Sequence, residues 1–160
     1  MSIHNTKIDL AKETREKLIA LLNSRLADAS DLKSQAKQAH WNVKGMSFIA
    51  LHELFDNVAT AVEAHTDLIA ERVTTLGGTA MGTVRLAAQN SRLSEYPHEI
   101  TDGAAHVDAL STALADFGKV VRKGIDEATD LGDQDTADIF TEISREIDKQ
   151  LWFVEAHIQG

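Results

Sequence analysis

Residues 48–76 read FIALHELFDNVATAVEAHTDLIAERVTTL, a run without glycine or proline. Leu51, Phe55, Val58, Val62, Ile69, Val73 and Leu76 recur at the 3.6-residue period of an amphipathic helix. A second set of residues follows another stripe of the same helix. With His52 at zero and about 100° per residue, Asp56 falls near 40°, Asp67 near 60° and Glu71 near 100°. The apolar residues lie roughly 90° to the other side of His52, so this stripe points away from the subunit's own core. Imidazole and carboxylate side chains on a face without a core role are candidate metal ligands.

His52 and Asp67 are about 22 Å apart along the axis, too far for one ion to be held by both within one helix. The stripe therefore carries two half-sites, His52/Asp56 and Asp67/Glu71. An identical helix packed antiparallel about a two-fold axis near Ala61 and Val62 would bring the halves of two chains together, forming two equivalent sites. Ala59, Thr60, Ala70 and Thr74 leave room for that approach. His40 precedes Gly45 by five residues and His52 follows it by seven, so a helical hairpin turning at Gly45 puts both histidines at similar heights. Glu63 also lies on the stripe and reads as a surface charge; His65 lies about 220° around from His52 and is left out.

Working outward, the chain has 160 residues, 43% of them hydrophobic, enough for one cored domain over 1–160 with a short tail at 1–7. A first helix over about 8–44 carries Leu18, Leu22, Leu26, Ala29 and Leu32 inward. A second covers about 47–76 and stops at Gly77 and Gly78. The connection up to Pro97 contains TVRLAAQN, a short helix in a long crossover. A third helix starts near Thr101 or Asp102 and runs to Ala128, and a fourth starts near Asp135 or Thr136. The fourth is expected to turn Ile139, Phe140, Ile143, Ile147, Leu151, Val154 and Ile158 inward. Two tight helix pairs joined by a long crossover make an all-α, ferritin-like four-helix bundle.

No cysteine is present, which excludes thiolate zinc sites and iron–sulfur clusters and leaves imidazole and carboxylate for iron, manganese or zinc. The only Glu-x-x-His, Glu95 to His98, is interrupted by Pro97, so a di-iron centre inside the bundle is not expected. The net charge of -9, from 25 acidic and 16 basic residues, favours cations over polyanions as guests. The absence of an 18-residue apolar run or a signal-like start predicts a cytoplasmic protein. His4, His98, His106 and His157 show no partner spacing.

KQAHWNVKG (37–45), FIALHELFD (48–56), HTDLIAERVTTLGG (65–78), SEYP (94–97) and DKQLWFVEAHI (148–158) together resemble the Dps family, the mini-ferritins named for DNA binding in starved cells. The resemblance covers nearly the whole chain. It implies a dodecameric homo-oligomer with ferroxidase centres at two-fold interfaces. The ligands would be His40, His52, Asp56, Asp67 and Glu71, and iron the metal, with no organic cofactor. Ferrous iron would be oxidised by hydrogen peroxide in preference to dioxygen and stored as ferric mineral, protecting DNA and the cell from oxidative damage. The resemblance also makes Trp41 a candidate electron donor, with Trp152 read as packing. Within DEATDLGDQDTAD (126–138) it makes Asp130, Asp133, Asp135 and Asp138 candidates for an acidic pore. The first ten residues contain Lys7 alone as a base, so DNA binding is expected to be weak or absent. The alternatives are a nucleoid-associated DNA-shielding protein and a helical oligomer holding structural zinc.

Overall fold

The computed structural model describes residues 3–159. It contains α1 (Lys12–Asn42), α2 (Phe48–Thr75), α3 (Val84–Asn90), α4 (Gly103–Asp130) and α5 (Gln134–Glu155). The helices expected from the sequence are all present, with α3 in the crossover and α4 and α5 as the third and fourth long helices. α1 starts four residues later than its apolar pattern suggests. Residues 3–10 instead precede the helix as a segment bonded to Arg15 in its first turn and to Gly77 at the end of α2.

α1 and α2 form one antiparallel pair and α4 and α5 the other, closed around a single core. Leu18, Leu22, Leu26 and Leu32 from α1 meet Phe55, Val58, Val62 and Ile69 from α2 there, with Leu110, Leu114 and Phe117 from α4 and Phe140, Ile143 and Ile147 from α5. Each fully buried side chain of this kind stabilises the fold by about 1.5–3 kcal/mol relative to exposure. Ile139 and Leu151 pack against this core from partly buried positions. Ile158 does not: it lies beyond α5 and is 47% exposed.

The turns are decided by backbone chemistry. Gly77 at φ +89° ends α2, with Gly77 N–H bonded to Thr74 O and Gly78 N–H to Val73 O, the paired closure that satisfies the last carbonyls of a helix. Gly132 ends α4 in the same way, through Thr129 O and Ala128 O. Asp102 caps α4 by accepting from Ala105 N–H. Between α1 and α2, Lys44 N–H donates to Thr101 O at 2.8 Å, which fastens the hairpin turn to the start of α4.

Candidate metal centre

His40 sits in the last turn of α1 and His52 in the second turn of α2, on the two sides of Gly45. Their rings stack at 3.7 Å with 22° between planes. His40 Nδ1 lies 2.6 Å from the His52 carbonyl oxygen, and His52 Nδ1 lies 2.8 Å from the His40 carbonyl oxygen. A carbonyl only accepts, so each Nδ1 carries a proton and Nε2 is the nitrogen left to each ring for a metal. The acceptors that orient the two imidazoles, invisible in the sequence, are each other's main chains. The His40 carbonyl is also one of the four that the end of a helix leaves unpaired, so the same bond finishes α1.

One turn along α2, Asp56 accepts from Lys37 Nζ at 2.6 Å. The lysine holds the Asp56 carboxyl below its ordinary range, with smaller help from His40 and His52. Lys37 also lies 5.7 Å over the ring of Trp41, which is 67% exposed. A cation entering here meets a carboxylate already ionised and paired with an ammonium. Asp67 and Glu71 are exposed farther along the stripe. An open groove of about 880 Å³ between α1 and α2 runs past Lys33, Lys37, Trp41, Glu63 and Asp67. Glu63 is occupied by Lys33 at 2.5 Å, in keeping with a surface charge. Among the described residues, no three histidine or acidic side chains converge on one point.

The ferritin-like domain family matches residues 19–160. A DNA protection during starvation protein from Agrobacterium fabrum is 46% identical over 99% of this chain and 98% of its own length. The chain belongs to the Dps family of ferritin-like proteins. Among solved structures, Mycobacterium smegmatis Dps in its tetragonal form superimposes with a TM-score of 0.93 at 30% identity, covering 98% of this chain and 96% of that one. DpsA14 from Streptomyces coelicolor gives 0.94 at 31%, covering 100% and 95%.

The acidic segment of this Dps chain divides. Asp133 is buried, 4% exposed, and accepts both from Arg72 Nη2, at 2.8 and 2.9 Å, and from the Thr136 hydroxyl. That corrects its assignment to a pore: its carboxylate is already used at the start of α5, and Asp130, Asp135 and Asp138 remain exposed. Trp152 is corrected as well. It is 61% exposed and stacks at a tilt on Phe153, because the angular position of the α5 seam carries it just outside the bundle. Two histidines that showed no partner spacing or were set aside are buried. His65 lies against α5 near Glu142 and Glu146, with both ring nitrogens unpartnered, and His106 bonds to Tyr96.

Arg15, 7% exposed, is a residue that sequence reasoning missed. Its guanidinium donates to the carbonyls of His4, Leu10 and Leu76, while His4 N–H donates to Gly77 O at 2.8 Å. These bonds lay residues 4–10 against the end of α2. Lys7, the one base among the first ten residues, is exposed on this segment.

Proposed function

We propose that this Dps chain is an iron-storage ferroxidase, with Fe(II) and hydrogen peroxide as substrates and a site shared by two subunits. The observation that carries the proposal is the reciprocal His40/His52 arrangement, which presents two Nε2 lone pairs beside the ionised Asp56. Asp67 and Glu71 of a second copy supply the missing carboxylates. Hard oxygen donors with few imidazoles suit ferrous iron and let the ferric product leave. Two ferrous ions each give one electron to one peroxide, whose O–O bond breaks. With two waters, the products are two ferric oxyhydroxide units and four protons. No hydroxyl radical is released, which is how such a protein protects DNA. Trp41, exposed beside Lys37, is the proposed donor of an electron to stray oxidant.

Twelve copies forming a closed shell would hold the mineral, and Asp130, Asp135 and Asp138 would gather cations where copies meet. The setting proposed is the cytoplasm; among the described residues no helix is long and apolar enough to cross a membrane. Anaerobic titration with peroxide tests the chemistry. Two ferrous ions should disappear per peroxide, and replacing Asp130, Asp135 and Asp138 together by Asn should slow the uptake. One ferrous ion per peroxide, with hydroxyl radical trapped, sinks the proposal; unchanged uptake in the triple variant removes the pore.

The reading as a DNA-coating protein is disfavoured by the docked segment at 4–10 and by the net charge of -9 per chain. A plasmid gel-shift at physiological salt should show no retained complex. Salt-resistant retention would reverse the order of the two readings.

A further inference from the structure

Below the α1–α2 turn, Tyr96 Oη and His106 Nδ1 are 2.6 Å apart, with the two rings nearly parallel at 6.0 Å. Tyr96 is 5% exposed and His106 1%, so both are buried. His106 Nε2 is buried without a hydrogen-bond partner. Burial keeps the Tyr96 phenol protonated, so its hydroxyl has a proton to donate to Nδ1 of the neutral ring.

The surroundings connect this pair to the proposed ferroxidase half-site. Asn42 ends α1 two residues after His40. Phe55, whose ring is 6.5 Å from His106, follows His52 by three residues on the buried face of α2. Asp102, beside Thr101 that holds Lys44, caps the helix that carries His106. The pair thus borders α2 at Phe55, and His106 sits on the helix whose start is fastened to the α1–α2 turn through Thr101 and Lys44. We propose that Tyr96 and His106 are positioning residues for the His40/His52 half-site and that they form an acid-sensitive latch under it. The proposal rests on the ferroxidase reading for its activity and on the fold alone for its pH dependence.

Protonation of His106 takes a proton from solvent and leaves the ring with two N–H groups and no lone pair. The Tyr96 hydroxyl then loses its acceptor, and a charge stands in an apolar site. Asp102 is the charged group near it on α4, while α1 offers Asn42, α2 offers Phe55 and the crossover offers Tyr96 and Ile100, all uncharged. Burial holds His106 below the ordinary imidazole range and holds the Tyr96 phenol well above its own. Stability from a histidine so depressed is fully present above about pH 6.5 and is lost as pH falls from there through the lower, folded value. His65, depressed by burial in the same way, adds a loss of the same sign.

The test is guanidinium denaturation of the assembled protein between pH 8 and pH 5 at fixed concentration, with peroxide-driven iron oxidation at neutral pH beside it. His106→Gln keeps an acceptor for Tyr96 but does not titrate. It should retain neutral-pH oxidation and lose stability less steeply in acid than the wild type, by up to about tenfold in the unfolding equilibrium per pH unit. His106→Ala should oxidise iron at least tenfold more slowly at neutral pH, as for loss of groups that orient metal ligands. If His106→Gln does not assemble, His106→Leu, which removes the titrating ring outright, should give the same flattening from a lower starting stability. Parallel wild-type and variant profiles would overturn the latch. Normal oxidation in His106→Ala would overturn the positioning role. A wild type inert toward iron would instead defeat the ferroxidase reading and leave the denaturation result to decide the latch.

Discussion

Co-expressed His52→Ala and Asp67→Ala chains will regain about a quarter of the wild-type iron-oxidising activity, as random pairing about a two-fold axis requires. Each variant alone should lose it by more than about 100-fold, beyond the usual cost of disturbing a group that merely orients a ligand. The arithmetic follows from the stripe on α2. In a mixed pair, one site receives both substitutions and the other receives neither. Half of random pairs are mixed, and half of their sites are intact. A site built within one chain gives no recovery at any mixing ratio. The measurement is the initial rate of peroxide-driven ferrous oxidation, with light scattering to show that all assemblies have the same mass. Zero recovery in assemblies of normal mass would rule out the shared site.

Asp133→Ala will destabilise the protein by about 3–5 kcal/mol, the cost of stranding one member of a buried, hydrogen-bonded ion pair. Arg72 reaches across from the last turn of α2 with Nη2 on both Asp133 oxygens and Nε on the Thr136 hydroxyl at 3.0 Å. Without the carboxylate, the guanidinium keeps its charge and loses its main partner. A second change, Arg72→Met, should restore a good part of the loss by removing the stranded charge. Burial raises the Asp133 carboxyl, but the bonds from Arg72 and Thr136 outweigh it and hold the group below its ordinary range. Its contribution is therefore complete above about pH 4 and drains away as pH falls below that toward the lower, folded value. Denaturant midpoints of the wild type and Asp133→Ala should converge in strong acid. A gap that persists unchanged at pH 2 would mean that packing, not the pair, sets the cost.

The long helices and the candidate stripe on α2 were legible because both depend on positions within one helix, where 100° per residue converts spacing into direction. His52, Asp56, Asp67 and Glu71 needed nothing else. The proximity of His40 to His52 followed from Gly45 and equal arm lengths. What stayed hidden depends on partners far away in sequence. Arg15 is an unremarked base until Leu76 and His4 come beside it. Asp133 looked like its acidic neighbours because the ion that claims it, Arg72, is 61 residues away. Trp152 and Ile158 follow an apolar rhythm, but whether a neighbouring helix covers that angle is decided by the crossing of α5 on the bundle. His65 and His106 were set aside for want of neighbours at ligand spacing, and such spacing carries no record of burial.

The crossed bonds between His40 and His52 also bear on how the chain can change over generations. Each ring is aimed by the other residue's carbonyl, and each carbonyl is placed by the helix pair that the rings help to close. Because each acceptor is main chain, a substitution at one position leaves the other ring its hydrogen-bond partner and removes only the stacked neighbour. The pair can therefore be taken apart or rebuilt one residue at a time, with the remaining imidazole still aimed.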